Sequence, residues 1–188
     1  MKLDEAGYLS DVQFISSPNC DNRPPGNEIS LLVIHNISMP PDVFEGDGVI
    51  DLFTNQLNPS ASYYEIIRDL RVSAHFFVRR SGEIIQFVPC GKRAWHAGKS
   101  YWREKECCND FSLGVEMEGS DTTPFTDSQY TALVALTIEL NKAYPIADII
   151  GHSDIAPKRK TDPGPYFDWH HYQEALHLAK LRVGDSSF

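Results

Sequence analysis

Nowhere do the 188 residues hold an apolar run long enough to cross a bilayer. The segment Met1 to Ser10, which contains Asp4 and Glu5, lacks the apolar core of a secretory signal. The sequence therefore argues against a membrane or exported protein, and a cytoplasmic location is expected. Positive charge is scarce as well: 17 Lys and Arg against 26 Asp and Glu give a formal net charge of -9, the wrong sign for a phosphate-backbone binder. No nucleic-acid partner is expected, although the local clusters Arg103/Lys105 and Lys158-Arg159-Lys160 suit a small anionic ligand. Cysteine is limited to Cys20, Cys90, Cys107 and Cys108, irregularly spaced and without a C-x-x-C pair. That pattern argues against a cysteine zinc site or a redox motif and reads as reduced, mostly structural thiols. Low-complexity tracts and fixed-period repeats are missing too, which excludes a solenoid.

What is present is ordinary globular usage. The hydrophobic fraction is 41%, and a chain of this length can bury roughly 70% of its unfolded surface around one core. One domain over residues 1–188 is expected, with its core at about 29–182, short flexible termini and a monomeric state. Leu31 to Ile34 is a branched apolar run without polar alternation, as in a strand buried on both faces, and it places His35 at the strand's end. Residues 36–72 read as a long excursion with a helix from Val49 to Leu57. His75 to Arg79 and Glu83 to Val88 flank Ser81-Gly82 as a hairpin. Ser112 to Glu118 alternates Leu113, Val115 and Met117 on one face with Glu116 and Glu118 on the other. Thr126 and Gln129 form a capping box for a helix that runs to Tyr144-Pro145. Ile149-Ile150 is a brief strand before Gly151-His152, and Asp168 caps a last helix through Ala175, Leu176 and Leu181. Strands interleaved with helices define an α/β class, a central mixed β-sheet flanked by helices.

Two of the seven histidines, His35 and His152, follow short apolar runs that would deliver both to one rim of such a sheet. The stretch after His152 is stiffened by Pro157, Pro163 and Pro165 and carries Lys160 and Asp162, so little conformational entropy is lost when its side chains converge on an ion. Two imidazoles and one carboxylate would leave a fourth zinc position for water, the arrangement of a catalytic site. Glu116 or Glu118 is a candidate proton acceptor, and Lys160 a cation for a developing oxyanion. Two histidines and an aspartate are common in soluble proteins, and spacing alone does not choose among these readings.

Five blocks narrow the choice: Leu31 to Ser38, Arg71 to His75, Arg93 to Gly98, Asn109 to Gly119 and Gly151 to Pro165. In order and over nearly the whole chain they resemble the zinc N-acetylmuramoyl-L-alanine amidases of the peptidoglycan-recognition type, and more closely those of the cytoplasmic recycling branch. The resemblance implies one Zn²⁺ held by His35, His152 and Asp162, with Glu116 as the catalytic carboxylate and Lys160 as the transition-state cation. It also implies Asn36, Arg71 and Trp95 as substrate contacts. The substrate it implies is a small anhydromuropeptide, cut between the lactyl group of N-acetylmuramic acid and L-alanine. The role it implies is cell-wall recycling and, through it, control of muropeptide-induced β-lactamase expression.

His75 and His96 are read as structural or pocket-lining, and His170, His171 and His177 as surface or packing residues of the last helix. The aromatic group Trp95, Tyr101 and Trp102 is read as a sugar-facing wall or as partly buried core. Some relatives carry arginine where this chain has Cys107. Competing expectations are a muropeptide-binding module that does not cut, and an amidase of polymeric peptidoglycan.

Overall fold

The computed structural model describes the backbone of residues 1–58 and 62–184 and the side chains of 1–58 and 63–179. In chain order the first elements are β1 (Gln13–Phe14), β2 (Cys20–Asn22), β3 (Leu31–Ile37), α1 (Gly48–Phe53) and α2 (Ser62–Ile67). Next come β4 (Phe76–Val78), β5 (Ile84–Gln86), β6 (Lys92–Ala94), β7 (Tyr101–Trp102), β8 (Lys105–Glu106) and β9 (Ser112–Glu118). The chain continues through α3 (Asp127–Ala143), β10 (Asp148–Gly151), α4 (His152–Ile155) and α5 (Trp169–Gly184).

A six-stranded sheet in the order β1-β5-β4-β9-β3-β10 forms the centre. It is mixed: β4, β9, β3 and β10 run parallel, and β5 pairs antiparallel with β4 in the expected hairpin. The two central strands are buried on both faces, and their two-residue period sorts the side chains. Leu32 and Ile34 of β3 join Leu113, Val115 and Met117 of β9 against Leu133, Leu136 and Leu140 of α3 and Tyr172 of α5. The opposite parity, His35 and Glu116, faces the other way, and the parallel register sets these two side by side. The capping box of α3 forms as expected: Thr126 Oγ1 accepts from the Gln129 N–H, and Gln129 Oε1 accepts from the Thr126 N–H, both at 3.1 Å. Asp168 caps α5 by accepting the His171 N–H. No helix among the described residues is long and apolar enough to cross a membrane.

The structure differs from the sequence expectations at four places. β3 does not stop at His35 but runs on to Ile37, because β9 continues in register with it as far as Glu118. The helix expected from Val49 to Leu57 ends at Phe53, where Asn55 adopts a left-handed φ of 60° and bonds to Asn19. The core starts well before residue 29, since Leu9 is buried and β1 adds a strand to the sheet beside β5. The segment after His152 opens with one helical turn, α4, rather than with loop. The side chain of Leu181 and the terminus at 185–188 lie outside the described residues.

Candidate active site

His35 leaves the sheet on the face opposite α3 and α5, and β10 brings His152 to the same place because it runs parallel to β3, with Gly151 opposite Ile34. Asp162 reaches them by a loop that closes on itself: the Ser153 N–H donates to the Asp162 carbonyl at 2.9 Å. Gly151 is needed for this closure, since a Cβ there would come within 2.7 Å of the Pro163 ring. The loop is also pinned from outside, with Arg159 donating to the carbonyls of Ala97 and Lys99 and Asn36 donating to that of Pro163.

Three donor atoms converge. His35 Nδ1 and His152 Nδ1 are 2.9 Å apart, and Asp162 Oδ2 lies 2.9 Å from the first and 3.0 Å from the second. His152 Nε2 faces the Ala97 carbonyl at 3.0 Å and His35 Nε2 faces His96 Nδ1 at 2.9 Å. A carbonyl can only accept, so a neutral His152 donates from Nε2 and keeps its lone pair on Nδ1, and the His96 contact allows His35 to do the same, with both lone pairs and a carboxylate oxygen turned toward one point. Such a cluster can hold a cation at its centre. Tetrahedral zinc with bonds of about 2.0–2.1 Å separates its ligand atoms by about 3.3 Å, only slightly wider than the triangle seen here. The donor set thus fits Zn²⁺.

The charges around the triangle agree. Burial pushes Asp162 up, but the His152 and His35 imidazoles against its Oδ2 outweigh it and hold the carboxyl well below the usual range, ionised as a ligand must be. Burial lowers His35 to about 4, which keeps it neutral and able to ligate. Glu116 lies beside His35 in the sheet, buried, and its Oε2 has no hydrogen-bond partner. Desolvation and the nearby Asp162 charge raise its pKa well above the normal carboxylate value, against the pull of Lys160. A cation held by the triangle would draw it back toward the working range.

Glu118 shares the face of Glu116 but is already committed. Its Oε1 accepts the Glu45 N–H and its Oε2 accepts the Arg80 N–H, each at 2.8 Å, so it ties two loops to the sheet.

His35, Glu116, His152, Lys160 and Asp162 all line one cleft of about 440 Å³, whose apolar wall comes from Met39, Leu52, Phe53 and Ile67. Asn36 lines it too. Both its amide hydrogens are taken, by Asp121 and the Pro163 carbonyl, which leaves its Oδ1 as the available acceptor. Arg71 and Trp95 are not in the lining. Arg71 is exposed beside it and donates to the Arg68 and Leu70 carbonyls. The Trp95 backbone N–H donates to Ser73 Oγ at 3.2 Å. Tyr101 and Trp102 belong to the β7–β8 hairpin, and the Trp102 indole donates to Asp148. The wall read from these aromatics is therefore not part of the cleft.

His75 is fully buried and accepts the Gly114 N–H, a structural role, whereas His170, His171 and His177 are exposed on α5. Tyr63, Asp121 and the contact of His96 with His35 were missed from sequence. The block Arg93 to Gly98 was the one signal for His96.

A mixed α/β sheet that brings two histidines, an aspartate and a buried glutamate into one cleft presents a candidate metal centre of the kind hydrolases use. The profile of the N-acetylmuramoyl-L-alanine amidase family matches residues 25–165, and the chain belongs to that family. It is 52% identical over 175 residues to the 1,6-anhydro-N-acetylmuramyl-L-alanine amidase AmpD of Enterobacter cloacae, with 92% of this chain and 94% of the relative covered. With the AmpD of Escherichia coli K12 it shares 51% identity over 168 residues, covering 88% and 92%. A crystal structure of a selenomethionine AmpD derivative superposes with a TM-score of 0.90 at 51% identity over 94% of this chain and 99% of that one. AmiD from E. coli, in complex with the substrate anhydro-N-acetylmuramic acid-L-Ala-D-gamma-Glu-L-Lys, has a TM-score of 0.58 at 27% identity over 92% of this chain and 64% of that one.

Proposed function

We propose that this chain hydrolyses the amide bond between the lactyl group of (1,6-anhydro-)N-acetylmuramic acid and L-alanine in small muropeptides, as a step of cell-wall recycling. The observation that carries the reading is the convergence of His35 Nδ1, His152 Nδ1 and Asp162 Oδ2 beside the unpaired Glu116. One Zn²⁺ held there supplies Lewis acidity, polarising the scissile carbonyl and acidifying water.

The chain's own groups do the rest. Glu116 takes the proton of the attacking water as its oxygen bonds to the carbonyl carbon, then passes that proton to the departing alanine nitrogen as the C–N bond breaks. The products are a lactyl carboxylate and a free stem peptide. Lys160 places positive charge near Glu116 and the developing oxyanion. Asn36 Oδ1 accepts a substrate N–H, and Arg71 at the rim offers its guanidinium to a stem-peptide carboxylate. Trp95 supports the wall from behind through its bond to Ser73, a residue of the lining. All three metal donors come from one chain, so a monomer suffices. The four unpaired cysteines suit a reducing compartment, which favours cytoplasmic muropeptides as the substrate pool.

The cleft lies within the size range of small-ligand sites of about 300–1,000 Å³, so soluble anhydromuropeptides should outrun polymer. Release of stem peptide measured with equal amide concentrations should be faster from anhydromuropeptides than from sacculi. Equal or faster turnover of sacculi would move the assignment to a polymer-trimming amidase.

A further inference from the structure

His96 has no place in the mechanism above, yet its side chain stands behind a proposed metal ligand, as that of Arg159 does at 3.4 Å from His152 Nε2. Its ring stands edge-on to that of His35, with centroids 5.0 Å apart at 86°, and its Nδ1 meets His35 Nε2 at 2.9 Å. On its far side His96 Nε2 is 3.2 Å from Ser112 Oγ. The next residue performs the equivalent task for the other histidine, the Ala97 carbonyl standing 3.0 Å from His152 Nε2. Both residues are fixed by one group, since the N–H groups of His96 and Ala97 donate to Asn109 Oδ1 at 3.2 and 2.8 Å. Gly114 of β9 provides the floor. A Cβ there would come within 2.5 to 2.7 Å of His96 ring atoms, so the ring lies flat on bare backbone.

We propose that His96 is a positioning residue for metal binding, accepting the Nε2 hydrogen of His35 and so aiming the His35 Nδ1 lone pair at the ion. The proposal rests on the zinc reading given above. Its logic is a count of protons. A neutral imidazole that ligates through Nδ1 carries its hydrogen on Nε2, and in a buried site that hydrogen needs an acceptor. His96 Nδ1 is the acceptor in reach, which leaves the His96 hydrogen on Nε2 for Ser112 Oγ. The opposite direction, with Ser112 donating to His96 and His96 to His35, would put a hydrogen on His35 Nδ1 and close the site to metal. His96 and Ala97 thus act as a two-point brace that holds both imidazoles in ligating orientation.

The test compares zinc affinities, by competition with a chromogenic chelator, of wild type, His96→Phe and His96→Asn. Phenylalanine keeps a flat ring but offers no acceptor, whereas asparagine places Oδ1 where Nδ1 stood. His96→Phe should bind zinc about 10- to 100-fold more weakly, the usual cost of losing a partner behind a ligand histidine, and His96→Asn should recover most of that loss. Wild-type affinity in a folded His96→Phe, or equal weakening in the two variants, would overturn the inference while leaving the zinc site intact. A wild type that takes no zinc would overturn both readings. Should His96→Phe fail to fold, the zinc-loaded wild type decides through long-range ¹H–¹⁵N correlation of its histidines. A hydrogen on Nε2 of both His35 and His96 is expected, and one on His96 Nδ1 would refute the proposal.

Discussion

Glu116→Gln is expected to lower turnover by about 10²- to 10⁴-fold, the range of a lost general base, while zinc content stays at that of wild type. The carboxylate is buried next to His35 without a hydrogen-bond partner for Oε2, so no structural hydrogen bond of that oxygen accounts for an ionisable group there. The amide is close to isosteric and adds no charge, so the fold should be kept. Lys160→Ala, on an exposed part of the same loop as Asp162, should cost on the order of 10²- to 10³-fold in kcat and also spare the metal. Glu118→Gln is the internal control. Its loss disturbs the anchoring of the Glu45 and Arg80 backbone, a matter of stability, and it should keep far more activity than Glu116→Gln. A dead Glu118→Gln beside a nearly wild-type Glu116→Gln, both with zinc bound, would transfer the base to the other carboxylate.

The second large effect concerns the metal itself. His35→Ala, His152→Ala and Asp162→Ala should each lose the zinc that wild type binds and with it all measurable amidase activity. Each removes one corner of a triangle whose edges are 2.9, 2.9 and 3.0 Å, leaving two donors where a catalytic zinc requires three. Asp162→Ala should be the informative one, because its carboxylate contacts both imidazoles and is the sole negative charge among the three donors. Inductively coupled plasma analysis after dialysis against zinc gives the occupancy directly. Full occupancy in any of the three variants would remove that residue from the ligand set.

The parts of this site that were legible in the sequence are those governed by local rules. The two-residue period of β9 put Glu116 and Glu118 on one face, and the branched run of β3 put His35 within reach of a sheet rim. Thr126 and Gln129 announced α3 through a bond pattern that spans four residues. Strand ends and the stiff loop after His152 make His35, His152 and Asp162 candidate partners, but only the family likeness singles them out, because local rules do not fix contacts between residues so far apart in the chain.

What escaped is tertiary. Periodicity leaves Glu116 and Glu118 equivalent and only the family likeness favours Glu116, because what sets Glu118 apart is its hold on the amides of Glu45 and Arg80. Trp95 is a substrate contact by motif, but it lies outside the cleft lining, its backbone N–H held by Ser73, which bonds in turn to Asn19 of a segment expected to lie outside the core. The early end of α1 follows from Asn55 pairing with Asn19, again a contact across that N-terminal segment. The role of His96 escaped for the same reason, since it depends on Gly114 leaving room for a ring that is distant in sequence.

The central claim is a chemical one: this cleft cleaves the lactyl–alanine amide and uses bound zinc to do it. Mass spectrometry of a purified anhydro-N-acetylmuramyl tripeptide, incubated with the zinc-loaded protein in water enriched in ¹⁸O, tests it most directly. The account predicts two fragments, free tripeptide and anhydro-N-acetylmuramic acid, with ¹⁸O in the lactyl carboxylate and none in the peptide, and no reaction after chelation of the zinc. Cleavage at another bond, label in the peptide, or undiminished turnover by fully metal-free protein would contradict it.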